Sequence, residues 1–152
     1  MFGMLVDMRE ALELLDLATT AVAMHDPHAL MPDDLRLGII SLQQHIDRVK
    51  GIHARLVAAG DSAGVWQGQA KRDMADWLAS LTKTSYGDAA SRVRLGEALG
   101  ASPELADAVD AGEVTAATAE ALHEAVTEPA SPAKTSELID AVKGAGPNDA
   151  RK

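Results

Sequence analysis

Two apolar seams with helical spacing occupy the first third of the chain. Along each seam the apolar positions recur at alternating intervals of three and four residues, the period of an amphipathic helix. The first seam consists of Leu5, Met8, Leu12, Leu15, Thr19 and Val22, and the second seam of Leu35, Ile39, Leu42, Ile46, Val49, His53 and Leu56. We therefore predict two long helices, which separate at His25-Asp26-Pro27 because proline disfavours a helical residue before it.

The seams are compatible with two arrangements. Helices joined by a short proline-containing loop are expected to lie antiparallel, which would pack the first seam against the second. The same seams could instead pair two copies of the chain, and the sequence does not separate these options. The second helix is predicted to run from about Pro32 to Ala59, with Gly60 as its C-terminal cap.

Five shorter helices are predicted after a glycine-rich segment at 61–69, and four of them form two helix–turn–helix-like units. The signals are a helix from about Gln69 to Leu81, an N-cap at Ser85 with Asp88, a start at Ser102-Pro103, a stop at Gly112, a cap at Thr115, a start at Ser131-Pro132 and an end at Gly144. No segment of useful length alternates as a strand does.

The predicted fold is all-α, a bundle of six to seven helices in which a long antiparallel helix pair packs with the two helix–turn–helix-like units. We expect one helical domain over residues 1–146, made of a hairpin at 1–60 and of the two units with a closing helix at 61–144. Residues 147–152 resemble the start of another helix, which favours a chain that is part of a longer protein.

The amino-acid composition excludes several classes of protein for this chain. The chain is 47% hydrophobic, which excludes a disordered composition, but it has only four aromatic rings, so Trp66 and Trp77 are expected to anchor a thin core. Net charge is −9, yet residues 47–94 carry eight basic and five acidic side chains. The absence of cysteine excludes disulfides and thiolate zinc sites. Without a membrane span or signal peptide pattern, a cytoplasmic location and no membrane partner are expected.

The net basic middle third supplies the candidate nucleic-acid-binding residues. They are Lys71, Arg72, Lys83, Arg92 and Arg94. Two of them have an acidic residue one helical turn away, and we expect local ion pairs between Arg72 and Asp76 and between Asp88 and Arg92. The second unit has no base in its would-be recognition helix and carries Glu120 there, so we expect it to be structural.

Other polar groups favour structural roles. The tryptophans could stack on bases, but core anchoring is the better interpretation. His25 and His28 could suggest a metal site, but a turn is favoured. Glu104, Asp107 and Asp110 are expected on an exposed face. With no nucleophile–base pair and no phosphate-binding loop, we predict no catalytic residues, no metal site and no cofactor.

An ordered set of short motifs resembles a known family. The motifs are Gly64-Val-Trp66, Trp77-Leu78-Ala79, Arg92-Val-Arg94, Ala98-Leu99 and Ala111-Gly112-Glu113-Val114-Thr115 followed by Ala119 and Leu122. Together they resemble the N-terminal domain of the actinobacterial 13E12-repeat proteins, domain of unknown function number 222, over about Leu35 to Val142. Members commonly continue into an HNH nuclease domain, and many occur in phages and mobile elements.

The resemblance implies a non-catalytic N-terminal module of an HNH-nuclease-type protein, which associates with DNA or positions the nuclease. None of the five histidines lies in a nuclease pattern, so we expect any nuclease domain to lie beyond Lys152. The alternative is a protein-interaction or oligomerisation module without direct DNA contact. The candidate partners are thus DNA, a second copy in a homodimer, or another protein.

Overall fold

Every regular element in the described part of the chain is helical. The structure, a computed structural model, describes residues 6–125 and 132–143, and these form seven α-helices and no strand. The helices are α1 (Met8–Ala23), α2 (Pro32–Ser62), α3 (Met74–Thr82), α4 (Tyr86–Ala101), α5 (Pro103–Asp110), α6 (Ala116–Ala125) and α7 (Pro132–Val142). The all-α prediction is confirmed. The predicted end at Gly144 and the tail at 147–152 lie outside the described residues.

The chain divides into two compact units, residues 1–41 and 42–152. The first unit contains α1, a short 3-10 turn at Pro27–Ala29 and the beginning of α2. The Asp7 carboxylate caps α1 by accepting the Glu10 backbone N–H at 2.9 Å. Asp26 accepts the backbone N–H of His28 at 3.0 Å and starts the turn. The predicted break before Pro27 is therefore confirmed.

The first unit has no buried residue among 6–41. Four members of the first seam, Met8, Leu12, Leu15 and Val22, are 42–55% exposed. Both predicted helices form, but the expectation that the first seam would be buried is not met within this unit. Its apolar side chains therefore remain available to another surface.

The second unit contains the buried core. One cluster is centred on α4, α5 and α6 and includes Leu99, Val109 and Ala119, with Ile139 of α7 against them. A smaller cluster joins α2, α3 and α4 through residues that include Val57 and Leu78. Many of the buried residues are alanines, among them Ala54, Ala98 and Ala119.

The part of α2 in the second unit packs through small residues. Its buried positions are Gly51, Ala54 and Val57. A Cβ added to Gly96 of α4 would overlap the carbonyl oxygen of Ala54, which shows that α2 and α4 are in backbone contact there. The second seam lies on another face, and its members Leu42, Ile46, Val49 and Leu56 are 41–47% exposed.

Helix boundaries depend on local caps and on backbone conformation. Ser85, Ser102 and Thr115 accept backbone N–H groups at the starts of α4, α5 and α6, as predicted. The predicted end of the second helix at Gly60 was wrong, because α2 continues to Ser62.

The predicted start of the third helix was also wrong. That helix begins at Met74 rather than at Gln69, because Gly68 and Ala70 have positive φ values of 76° and 55°. Asp73 then caps the helix by accepting the Asp76 backbone N–H at 2.8 Å.

Candidate interaction surfaces

Arg72, which precedes α3, forms one polar cluster with Asp73, Asp76 and Tyr86. The Arg72 guanidinium carbon lies 5.0 Å from the centroid of the Tyr86 ring, and Arg72 Nε is 3.9 Å from Asp76 Oδ2. The Tyr86 hydroxyl donates to Asp73 Oδ2 at 3.0 Å. The predicted Arg72–Asp76 pair is thus present, and the cation–π contact further occupies the guanidinium.

The cluster shifts the pKa values of its two central groups. Asp73 accepts the backbone N–H of Asp76 and the hydroxyl of Tyr86, and these hydrogen bonds hold its pKa below the usual value. The hydrogen bond to the Asp73 carboxylate and that carboxylate's charge raise the pKa of Tyr86. Both side chains lie at the surface. Their hydrogen bond connects the residue before α3 to the first residue of α4, and it does not form a buried reactive centre.

The other candidate cations have different environments. Arg94 Nη2 lies 3.3 Å from Glu120 Oε1 of α6. Arg92 donates to the backbone carbonyl of Lys50 at 3.4 Å, so the expected pair between Asp88 and Arg92 was wrong. The Asp88 carboxylate instead accepts the Ser85 hydroxyl.

Two lysines of the candidate set have no ion pair within the described residues. Lys71 is half-buried, whereas Lys83 is exposed. Lys83 ends α3 in the left-handed region, with φ of 56°, and its backbone N–H donates to Ala79. The structure therefore leaves the ammonium groups of Lys71 and Lys83 open to solvent or to a ligand, whereas three arginines of the candidate set are already engaged.

An acidic residue of the second helix–turn–helix-like unit, Glu120 in α6, contacts helix α4 of the first helix–turn–helix-like unit. Glu120 accepts the Ser91 hydroxyl and also contacts Arg94, so this carboxylate of α6 is directed at α4. Arg55 Nη2 of α2 similarly lies 2.9 Å from Asp110 Oδ1 of α5. Sequence reasoning missed both contacts, because the partners are 26 and 55 residues apart.

The tryptophans contribute to packing and order the loop before α3. Both rings are half-buried and pack against the smaller core cluster. Trp66 Nε1 donates to Asp61 Oδ1 at 2.7 Å, and Trp77 Nε1 donates to Gln69 Oε1 at 3.0 Å. With the indole N–H groups paired in this way, the core interpretation fits better than a stacking platform.

The histidines do not form a cluster in the described structure. His25 Nδ1 lies 3.1 Å from the Ala21 carbonyl oxygen, and His28 belongs to the 3-10 turn. His53 of α2 is near Arg92, and burial together with that positive charge lowers its pKa. Within 6–125 and 132–143, no three metal-ligating side chains lie together.

The most extensive candidate surface is apolar, and only the seam pattern indicated it. Among the described residues, seventeen of the twenty exposed large apolar side chains lie between Val6 and Leu56. On α1 a shallow open depression is lined by Met8, Arg9, Leu12, Glu13 and Asp16. Among the described residues, most exposed large apolar side chains thus belong either to the helices of the first unit or to the exposed face of α2 in the second unit.

Comparisons with protein-family models, curated proteins and solved structures find no match to this chain. None of the helices in the described ranges combines the length and the hydropathy that a membrane span needs.

Proposed function

We propose that this chain is a non-catalytic helical module that binds a protein partner through the exposed apolar side chains of its first unit, within residues 6–41. The observation that carries the proposal is the absence of any buried residue among 6–41, although eight large apolar side chains lie between Val6 and Met24. This function was the alternative in the sequence analysis.

The helices of the first unit are ordered without burying an apolar face, which leaves them with little tertiary stabilisation. Most helix stability in proteins comes from packing of an apolar face rather than from the intrinsic propensity of the helix. The sixteen residues of α1 contain no buried position. Large contiguous apolar patches on a protein surface commonly mark interaction sites. A partner that covers α1 would therefore supply the stabilisation that the first unit lacks.

Positioning of an attached nuclease domain is part of the same proposal. Its support is the resemblance of the motifs between Gly64 and Leu122 to the N-terminal domain of the 13E12-repeat proteins. An interaction module with this resemblance would hold an HNH nuclease in an assembly and would not cleave the substrate itself.

Single cysteines test whether the face is open. Because the chain has no native cysteine, Leu12→Cys introduces the only thiol, and Leu81→Cys and Ala54→Cys serve as exposed and buried references. We expect iodoacetamide to label Leu12→Cys at nearly the rate of Leu81→Cys when the protein is diluted to nanomolar concentration. Labelling as slow as that of Ala54→Cys would mean that the chain covers the face itself, and the proposal would fail.

DNA association is the second candidate, favoured by the unpaired ammonium groups of Lys71 and Lys83 in the described structure. We expect salt-dependent duplex binding that weakens when Lys71, Lys83 and Arg94 are changed to Ala. Two lost phosphate contacts should reduce the slope of log K against log salt by roughly 2. Arg94→Ala alone should have little effect, because Arg94 already contacts Glu120. Binding that the triple change leaves unaltered would refute this candidate.

A further inference from the structure

We infer that α1 pairs antiparallel with α1 of a second copy of this chain. The inference rests on the proposed function and names the partner. Three features of α1 carry it: the self-matching apolar seam, the opposite charges on one flank and the small residues on the other flank.

The first seam matches itself in antiparallel orientation. Its described members follow intervals of four, three, four and three residues, from Met8 through Leu12, Leu15 and Thr19 to Val22. If Leu12 faces Leu15 of a second copy, then Met8 faces Thr19 of that copy, and each contact occurs twice by symmetry. The exposed side chains at these positions thus form layers without any change of helix conformation.

The charges beside the seam favour this orientation. Arg9 and Asp16 are seven residues apart and so lie on the same flank, where they line the open depression with Met8 and Leu12. Neither side chain has an ion pair or hydrogen bond within the described residues. An antiparallel partner brings Arg9 of each copy towards Asp16 of the other. A parallel partner would place Asp16 beside Ala11, and the opposite charges would not meet.

The opposite flank carries Ala11 and Ala18, whose small side chains permit close approach of two helices. Of the two remaining acidic residues of α1, Glu10 lies on the far side of the helix, whereas Glu13 lines the depression beside Arg9 and Asp16. The pairing thus keeps the Glu10 carboxylates away from the seam, which matters in a chain with a net charge of −9.

The expected dimer is reversible. A helix of sixteen residues is about 24 Å long, shorter than the three to four heptads typical of a stable coiled coil. A stable interface buries about 800 Å² on each partner. We therefore expect dissociation on dilution.

Sedimentation velocity over a wide concentration range tests the inference. We expect the full chain to pass from monomer to dimer as its concentration rises. Arg9→Asp and Asp16→Arg should each raise the dissociation constant by about tenfold, because symmetry alters two pairs in every dimer. The double variant R9D/D16R should restore wild-type association, since it exchanges the charges. Glu10→Arg is the matched control: it makes the same charge change as Asp16→Arg on the far face and should not weaken the dimer.

The outcomes separate this inference from the proposed function. A wild-type chain that stays monomeric at every concentration overturns the inference, while rapid labelling of Leu12→Cys would leave the proposed function standing. A dimer in which R9D/D16R does not recover, or which Glu10→Arg weakens as much as Asp16→Arg, overturns the antiparallel α1 contact. Circular dichroism of each variant establishes that its helices are intact, so that a lost dimer reports the contact rather than unfolding.

Discussion

The contact between α2 and α4 provides a sharp test of the second unit's packing. Gly96 lies in α4 where a Cβ would overlap the Ala54 carbonyl oxygen and would come within 3.0 Å of both the Ala54 carbonyl carbon and the Ala58 Cβ. Two of these three atoms belong to the backbone, which cannot move aside as the end of a flexible side chain can. We predict that Gly96→Ala separates the two helices and destabilises the second unit.

Two opposing effects determine the expected change in the free energy of unfolding of Gly96→Ala. Overpacking a close contact costs about 1–3 kcal/mol, whereas replacing glycine by alanine inside a helix gains about 1 kcal/mol. Because the nearest atom is a backbone oxygen, we expect a cost near the upper end and a net loss of about 1–2 kcal/mol in the free energy of unfolding.

Gly100→Ala is the matched control, because it lies in the same helix and its added Cβ would meet nothing within 4 Å. It should stabilise the protein by about 0.5–1 kcal/mol. The measurement is urea unfolding followed by circular dichroism, with the slope compared among wild type and both variants. If Gly96→Ala proves as stable as Gly100→Ala, the backbone contact that we assign to α2 and α4 is refuted.

Three further predictions concern single side chains. Asp73→Asn should lower the pKa of Tyr86, and an ultraviolet titration can follow this because the chain has one tyrosine. An unchanged titration midpoint would show that the hydrogen bond to Asp73 does not cause the raised pKa of Tyr86. The folded-state pKa of His53 is below its ordinary 6.5, so the unfolded chain binds more protons than the folded chain at acidic pH. The contribution of neutral His53 to the free energy of unfolding should be fully present above pH 6.5 and be lost as pH falls through the folded-state pKa. Thermal unfolding of His53→Gln at a series of pH values should lack this part of the decline. Ser102→Ala should cost about 1 kcal/mol in urea unfolding through loss of the cap on α5, whereas no loss would show that the cap is dispensable.

The helices were predictable because their signals are local. Ser85, Ser102 and Thr115 act within three residues of themselves, and Pro27 disfavours a helical conformation of the residue before it. The start of α3 was misplaced because the period of its apolar residues did not reveal the left-handed conformation of Ala70. The aspartate at position 73 was a usable signal, since it is a favoured cap residue and precedes the apolar turn.

The contacts that define the candidate surfaces were less predictable. The charged residues indicated Arg72–Asp76 correctly, because those partners are one turn apart. No local pattern could indicate that Arg94 contacts Glu120 on another helix, since that pairing depends on how α4 and α6 pack. The DNA-binding candidates were chosen by charge alone, and the structure divides them into engaged arginines and unpaired lysines within its described residues.

The two faces of α2 explain why periodicity indicated a seam but not what the seam contacts. Small residues at Gly51 and Ala54 allow α5 and α4 to approach closely, so α2 is held in the second unit without its larger side chains. Four members of the second seam, Leu42, Ile46, Val49 and Leu56, are 41–47% exposed. Roughly half of the free energy of burying each of these side chains would therefore be gained only when a partner covers it. At about 1.5–3 kcal/mol for full burial of each, covering them would contribute about 3–6 kcal/mol.

That contribution is comparable to the lower part of the usual range of domain stability, about 5–15 kcal/mol. Association itself costs about 4–15 kcal/mol in lost freedom, so a partner covering this part of α2 alone would bind weakly. The exposed faces of α1 and α2 thus favour a reversible assembly over a permanent one. If a second copy is the partner, the free energy of unfolding must rise with protein concentration, since binding to the folded state alone stabilises it by mass action. Thermal unfolding at a series of concentrations measures this, and a midpoint that does not change would contradict self-association through these faces.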